Sequence, residues 1–292
     1  MKAAVISHFD LHGLVDDHVM YSLRCYRPYF DYIIFVSTAN LEQTAQLSVL
    51  SLADRVVVRR NVGYDFLSWR VGFEMLPMRN VSEVTFINDS IYGPCSNLEK
   101  FFLKGRSLGV DLWGATLSRQ FRPHVQSFFM TFSSSLLSSG FARWFWSGVG
   151  ILASKSDIIQ NYEIGLSRLV ESHGFTIGGV VDLNDPSQAI RQLAYDDNFG
   201  LNASLNEGTK NYIFKDNYPN PTQLFWARTL SGGSPFVKVE LLRDNPLLAN
   251  RGAVLKKLRD DGWYDPRLIL RHLERVMPSE KFRLLIRDAE SM

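Results

Sequence analysis

Short apolar runs alternate with longer segments of helical character over residues 3–89. The runs AAVISHF, DYIIFVST, RVVVRR and VTFIND are rich in the β-branched and aromatic residues that favour buried strands. The segments between them, 16–26, 41–53 and 65–76, are predicted to be helices. This alternation predicts an α/β fold, with a Rossmann-type, mostly parallel sheet flanked by helices.

The rest of the chain extends this pattern less regularly. Strands are predicted at DLWGATLS, SFFMTF, FTIGGVVD and PFVKVELL, and helices after Ser96, at 154–173 and at NPTQLFWARTL. The polar segment 183–218 is predicted to be irregular. From residue 249 onward ten Lys and Arg stand against seven Asp and Glu, and apolar residues after Pro266 lie on one helix face. The sequence therefore predicts one domain over 1–246 and a basic helical C-terminal extension over 247–292.

Composition narrows the class of function. The chain has 292 residues and a net charge of +2, from 32 basic and 30 acidic residues, so nucleic acid is not an expected partner. Its two cysteines, Cys25 and Cys95, form no CxxC pair, which argues against structural zinc and a disulfide framework. We find neither a secretory signal nor an apolar stretch near eighteen residues, and we expect a cytoplasmic protein.

Polar residues stand where three of the predicted strands end. They are His8 and Asp10; Asn61, Gly63 and Asp65; and Asn88, Asp89 and Ser90. In open α/β sheets ligands bind beyond the carboxyl ends of the strands, so these residues predict one pocket. Simpler interpretations stay open, since Asp65 would also cap a helix and Asp89 and Ser90 would also begin a turn. The chain lacks GxGxxG and GxxxxGK[ST], which disfavours a dinucleotide-binding oxidoreductase and a P-loop enzyme.

Other polar residues are weaker candidates. His124 and Gln126, beside a predicted strand, are candidates for contacts with hydroxyl groups of an acceptor, and an ordinary surface role is equally compatible. The pair Asp196–Asp197 is compatible with a late active-site element, although we favour a solvated turn. The aromatic residues of the middle third are predicted to be core. They are Trp113, Phe128, Phe129, Trp144, Phe145 and Trp146.

Several phrases of the sequence resemble one known family. ISHFD, RRNVGYDFLSWRVGFEML, FINDSIYGP, LWGATLS, HVQSFFMTFSSSLL, SKSDIIQNYEIGLSRLVESHGF and SPFVKVELLRDNP resemble, in order, the rhamnan synthesis protein F family of bacterial polysaccharide glycosyltransferases. The resemblance covers roughly residues 3–246. It implies a GT-A-like fold, a nucleotide-sugar donor and transfer to a glycan or lipid-linked oligosaccharide of a capsule, O-antigen, lipopolysaccharide or cell-wall polymer.

The resemblance also implies roles for particular residues. By position, Asn88-Asp89-Ser90 is similar to the Asp-x-Asp motif of GT-A enzymes, which makes Asp89 the expected ligand of a Mg²⁺ or Mn²⁺ ion on the donor diphosphate. One carboxylate is a weak site for such ions, so metal-independent transfer stays open. YEIGLSRLVESHGFTI resembles the segment that carries the base in inverting GT-A enzymes, and Glu163 is therefore the expected catalytic base.

We therefore expect an inverting glycosyltransferase whose donor carries rhamnose or another deoxyhexose. His8, Asp10 and the Asn61 and Asn88 segments would bind the donor, and Glu163 would be the base. Two alternatives remain, a nucleotidyltransferase of similar fold and a non-catalytic sugar-binding module of a polysaccharide assembly complex. The basic extension would lie against the inner face of the cell membrane or pack on the catalytic domain.

Overall fold

A computed structural model describes residues 1–183, 220–247 and 249–290. Ten strands form in this part of the chain, eight of them in one sheet and two in a separate antiparallel ribbon. The strands are β1 Lys2–His8, β2 Tyr32–Ser37, β3 Arg55–Val58, β4 Glu83–Asn88, β5 Ile91–Tyr92, β6 Leu112–Ser118, β7 His124–Val125, β8 Phe129–Phe132, β9 Ile177–Asp182 and β10 Val237–Lys238.

The main sheet has the order β3-β2-β1-β4-β8-β6-β7, and β9 also pairs with β6. The first four strands run parallel, as do β6 and β9, whereas β8 is antiparallel to β4 and to β6. The predicted α/β sheet is confirmed as a mixed, mostly parallel sheet. Because β1, β3 and β4 share one direction, their carboxyl ends meet at one edge.

Helices cover both faces of this sheet and form the C-terminal region. They are α1 Asp17–Tyr26, α2 Gln43–Leu50, α3 Tyr64–Glu74, α4 Leu98–Ser107, α5 Ser134–Ser138, α6 Phe141–Gly148, α7 Lys155–Ile158, α8 Ile164–Ser172, α9 Pro221–Leu224, α10 Trp226–Ser231, α11 Val239–Arg243, α12 Arg251–Asp261, α13 Pro266–Val276 and α14 Ser279–Glu290. Short 3₁₀ turns lie at Arg27–Tyr29 and Met78–Asn80, and a π-helical segment at Ile159–Glu163. None of the described helices is long and apolar enough to span a membrane.

Successive side chains of β1 point to opposite faces of the sheet, and each face has its own hydrophobic core. Ala3 and Val5 face a cluster built with α3 and α6, while Ala4 and Ile6 face a cluster built with α1 and α4. Of the aromatic residues predicted to be core, all are buried except Trp144, which is 52% exposed. The buried ones are Trp113, Phe128, Phe129, Phe145 and Trp146.

The C-terminal helices share a third core with the β5–β10 ribbon. Tyr92 of β5 and Val237 of β10 pack in one buried cluster with Leu258 of α12 and Leu273 of α13. Arg275 of α13 also reaches back to Asp10 beyond β1. The described residues of the C-terminal extension therefore bury apolar surface against the rest of the protein.

One strand prediction is wrong. PFVKVELL forms only the two-residue strand β10, because pairing with β5 ends at Ser90, whose carbonyl oxygen accepts the Val239 amide 2.9 Å away, and the chain then turns into α11. The predicted helix at 154–173 is confirmed over residues 155–172, where it contains the π-helical segment Ile159–Glu163. The predicted irregular segment 183–218 and the pair Asp196–Asp197 lie outside the described residues, apart from Leu183.

Candidate active site

A cleft of about 530 Å³ opens beyond the carboxyl ends of β1 and β4. Its walls contain nine of the predicted site residues: His8, Asp10, Asn61, Asp65, Asn88, Asp89, Ser90, Gln126 and Glu163. Gly63 and His124 are not part of its lining. The side chains predicted to meet at this edge of the sheet therefore share one cavity.

Asp65 links the ends of β1 and β4. Its Oδ1 accepts a hydrogen bond of 2.6 Å from Ser7 Oγ, and its Oδ2 accepts one of 3.0 Å from Asn88 Nδ2. The Asn88 Oδ1 in turn accepts from the amide and hydroxyl of Ser90, at 3.1 and 2.6 Å. Asp65 lies in the first turn of α3, but it makes no capping hydrogen bond. Instead, the cap is Gly63, which adopts the left-handed conformation with φ +71°.

The carboxylate of Asp89 faces the cleft and is oriented by the end of β1. Its Oδ2 accepts a 2.7 Å hydrogen bond from the Phe9 amide. Burial and, secondly, the negative charge of Asp65 raise the pKa of Asp89 to about 8. A positive charge bound beside Asp89 and Asp65 would favour the ionised form of Asp89.

His8 and Asp10 occupy different environments within the cleft wall. The His8 ring is buried, its Nδ1 lies 2.9 Å from Ser37 Oγ, and burial lowers its pKa to about 4, so it is neutral at pH 7. Asp10 Oδ1 accepts from the His12 and Leu14 amides, and its Oδ2 pairs with Arg275. Burial raises the pKa of Asp10, but the Arg275 and amide hydrogen bonds outweigh it and hold that pKa below its ordinary value.

Glu163 also lines the cleft, at the end of the π-helical segment. Its Oε2 accepts from the amide of Ser127 at 2.8 Å and also from the Ser127 hydroxyl. Its Oε1 lies 3.7 Å from Nε2 of buried His124. His124 lies near Glu163 without a hydrogen bond to it and does not line the cleft, so its predicted contact with an acceptor has no direct geometric support.

Gln126 is buried beside Glu163 and held on both sides. Its Oε1 accepts a 2.6 Å hydrogen bond from Thr116 Oγ1, and its Nε2 donates to Asn220 Oδ1 at 3.1 Å. Asn61, by contrast, is exposed at the rim of the cleft. The two residues thus mark the deep and the open sides of the cavity.

The sequence prediction missed several cleft residues. Lys238, Ser127 and the pair His18 and His272 all line it, and Arg275 pairs with Asp10 in its wall. Most of these come from elements far apart in the chain, and no local motif marks them. Two of them had a signal, because Lys238 lies within the phrase SPFVKVELLRDNP and Ser127 within HVQSFFMTFSSSLL.

The residues around Asp89 offer few ligands for a metal ion. In the part of the chain that the structure describes, no three His, Cys, Asp or Glu side chains form a cluster that would hold one. The oxygens of Asn88 and Asp65 already accept hydrogen bonds. A cation at Asp89 would fit only if a ligand supplied most of its coordination, as substrate phosphates commonly do for Mg²⁺.

Relatives and solved structures similar to this chain are distant. Virulence protein VirA of Vibrio anguillarum is 26% identical over 226 residues, which cover 74% of this chain and 71% of VirA. A 4-diphosphocytidyl-2C-methyl-D-erythritol synthase from Anaerococcus prevotii is 11% identical with a TM-score of 0.41, over 62% of this chain and 88% of that protein. A candidate nucleotide-diphospho-sugar transferase from Desulfovibrio desulfuricans is 8% identical with a TM-score of 0.39, over 70% and 89%. At these scores the structural likenesses carry no argument about function.

A family model matches more of the chain than these relatives and structures do. The model of one family, described as rhamnan synthesis protein F, matches residues 33–289. The match includes the C-terminal helices, beyond residue 246, where the resemblance was expected to end. Because it covers most of the chain, the protein belongs to the rhamnan synthesis protein F family.

Proposed function

We propose that the protein is an inverting glycosyltransferase that moves a sugar from a nucleotide-sugar donor to a bacterial surface polysaccharide. The observation that carries this proposal is the shared cleft, which Asp65, Asp89 and Glu163 all line. Such a cleft can hold an activated sugar between a site for its leaving group and a base. Membership of a rhamnan synthesis family supports rhamnose or another deoxyhexose as the sugar.

The carboxyl ends of the parallel strands form the donor side. His8, Asp10, Asn61 and Asp65 would bind the nucleoside, since carboxylate and amide groups hydrogen-bond to ribose and base. Asn88, Asp89 and Ser90 would lie beside the diphosphate. Asp89 would also hold any Mg²⁺ or Mn²⁺ carried by the donor, and that ion would neutralise charge on the diphosphate.

Glu163 would act as the base. An acceptor hydroxyl oxygen forms a bond to the anomeric carbon, the bond from that carbon to the diphosphate oxygen breaks, and its electron pair leaves with the diphosphate. The hydroxyl proton passes to Glu163. Both Ser127 donors contact Oε2, which leaves Oε1 to receive the proton. His124 would orient the carboxylate, and Gln126 would contact acceptor hydroxyls.

The acceptor is proposed to be a growing, lipid-linked glycan. A protein that extends such a glycan works at the inner face of the cell membrane, where the ten basic residues of the C-terminal extension would favour anionic lipid. The extension's apolar residues, however, are partly used in packing against β5 and β10. Membrane contact would therefore come from its exposed charges.

Thermal-shift screening against nucleotide sugars, with and without Mn²⁺, tests the proposal. A ligand that binds only the folded state raises the melting temperature, so at least one nucleotide sugar should stabilise the protein. Release of nucleoside diphosphate on addition of acceptor glycan should follow for the same donor. Stabilisation by no nucleotide sugar would contradict the proposal. Binding of a nucleotide sugar without release of nucleoside diphosphate, whichever acceptor is added, would instead favour a non-catalytic module. Release of pyrophosphate from a nucleoside triphosphate would favour a nucleotidyltransferase.

A further inference from the structure

We propose that Lys238 is a catalytic residue that contacts the β-phosphate of the donor and neutralises the charge on the departing diphosphate. The inference rests on the proposed function. It assigns to Lys238 the neutralisation of diphosphate charge, a role that was expected only of a Mg²⁺ or Mn²⁺ ion at Asp89.

Lys238 projects into the cleft from the short strand β10. Its Nζ donates a 2.9 Å hydrogen bond to Ser90 Oγ, and so lies beside the segment expected to meet the diphosphate. It also lies 4.7 Å from the centroid of the Phe128 ring. A hydroxyl and an aromatic face hold the ammonium group in place without neutralising it.

The charge of Lys238 has no close carboxylate partner. Within the described ranges 1–183, 220–247 and 249–290, no Asp or Glu oxygen forms a salt bridge with its Nζ. Glu163, Glu240 and Asp65 attract it from further away, and burial lowers its pKa. The ammonium group of Lys238 is therefore attracted by several carboxylates but paired with none of them. Such a cation is well suited to pair with an anionic ligand.

This position defines which phosphate the lysine would meet. Lys238 hydrogen-bonds to Ser90, which is proposed to lie beside the diphosphate, and is attracted by Glu163, the proposed base. The bond that breaks joins the anomeric carbon to a β-phosphate oxygen, and this oxygen must also lie between the diphosphate site and the base. When the electron pair moves to that oxygen, the ammonium group of Lys238 stabilises the new negative charge and keeps its own proton.

A purely structural role makes a different prediction. The backbone of β10 already pairs with β5, and the Val239 amide donates to the Ser90 carbonyl. If the lysine side chain only strengthened this contact, its loss would lower stability and weaken every ligand of the cleft equally. If it meets the β-phosphate, its loss weakens only ligands that carry that group.

Calorimetric titration of Lys238→Met and Lys238→Arg separates these roles. The probes are UDP, GDP, CDP and dTDP, each paired with its nucleoside monophosphate, in buffer with and without Mn²⁺. Methionine preserves the length of the side chain and removes its charge, whereas arginine preserves the charge. The matched control is Lys104→Met, because Lys104 lies outside the cleft lining and donates one 2.8 Å hydrogen bond to the Gly232 carbonyl.

We expect the diphosphate that binds the wild-type protein to bind Lys238→Met roughly ten- to a hundredfold more weakly, as for loss of one hydrogen bond to a charged group. Binding of the matching monophosphate should be unchanged, Lys238→Arg should recover most of the lost affinity, and Lys104→Met should behave as wild type. Equal diphosphate affinity in Lys238→Met and wild type would overturn the inference and leave the proposed function standing. Equal weakening of both nucleotides would assign Lys238 a structural role. Failure of the wild-type protein to bind any of the four diphosphates would overturn the proposed function itself.

Discussion

At the scale of single residues, Glu163 gives the clearest chemical prediction. Glu163→Gln removes the group that accepts the proton but retains a side chain able to hydrogen-bond to Ser127. We expect turnover to fall by about 10²–10⁴-fold, measured as release of nucleoside diphosphate, while the dissociation constant of the donor stays unchanged. Glu171→Gln, at an exposed position of α8, is the control and should retain full turnover. Equal turnover in both variants would exclude Glu163 as the base.

Asp89 predicts a dependence of stability on pH. Its pKa in the folded protein, about 8, lies above the ordinary value of 3.8, so the folded state retains a proton that the unfolded state loses between these values. The contribution of Asp89 to the free energy of unfolding is therefore full below pH 4 and is lost as the pH rises through 8. Asp89→Asn removes this dependence, because an amide does not ionise.

Melting temperatures in EDTA check this prediction. The difference between Asp89→Asn and wild type should grow in favour of the variant from pH 5 to pH 9. A difference that stays constant over this range would show that Asp89 is ionised in the folded protein throughout.

Residues at the ends of strands were predictable because topology alone decides which edge they reach. His8, Asp65 and Asp89 follow strands whose composition identifies them, and a parallel sheet brings them together. Lys238 and Arg275 were not predictable in this way. Lys238 meets Ser90 across 148 positions and Arg275 meets Asp10 across 265, and local sequence carries no signal for such contacts.

At the scale of elements, α3 approaches the sheet so closely that a small residue is required at position 72. A Cβ added at Gly72 would lie 2.2 Å from Val5 Cγ1 and 3.2 Å from Val36 Cγ2. We expect Gly72→Ala to lower the free energy of unfolding by about 1–3 kcal/mol, since overpacking forces the helix away from β1 and β2. Chemical denaturation measures this change.

Gly148→Ala is the control, because no atom lies within 4 Å of a Cβ built there. It should leave the free energy of unfolding nearly unchanged. Helix propensity and the lower flexibility of the unfolded chain both favour alanine over glycine in a helix. A similar loss of stability in both variants would therefore contradict the assignment of the effect to the contact with Val5.

Elements with a long, regular pattern were predictable, and those decided by tertiary contacts were not. β1, β2 and α1 follow the predicted segments closely. PFVKVELL has strong strand propensity, yet it forms a strand only where β5 offers a partner. The π-helical segment inserts an irregularity into an otherwise helical pattern and places Glu163 against Ser127, which sequence periodicity does not reveal.

At the scale of the whole molecule, one arginine connects the C-terminal region to the cleft. Arg275 bridges Asp10 and Asp16, and Asp10 is buried. Arg275→Met leaves a buried carboxylate unpaired, so we expect the free energy of unfolding at pH 7 to fall by about 3 kcal/mol. Urea denaturation measures the loss.

Arg271→Met provides the comparison on the same helix. Arg271 pairs with Asp17, and both side chains are about two-thirds exposed, at 68% and 67%. Exposed pairs contribute about 0–1 kcal/mol, so this variant should be close to wild type. If Arg271→Met lowered the free energy of unfolding as much as Arg275→Met, the ion pair of Arg275 with Asp10 would not be the more stabilising one, and the prediction would be contradicted.

The central claim is that the carboxyl ends of β1, β3 and β4 hold a nucleotide sugar, and hydrogen–deuterium exchange of the backbone amides tests it most directly. With the stabilising nucleotide sugar bound, we predict slower exchange at residues 8–18, 61–66 and 88–92 and unchanged exchange at the opposite edge of the sheet. Protection confined to that opposite edge, around Asp31, Ser82 and Val110, or absent from all three predicted segments, would contradict the account.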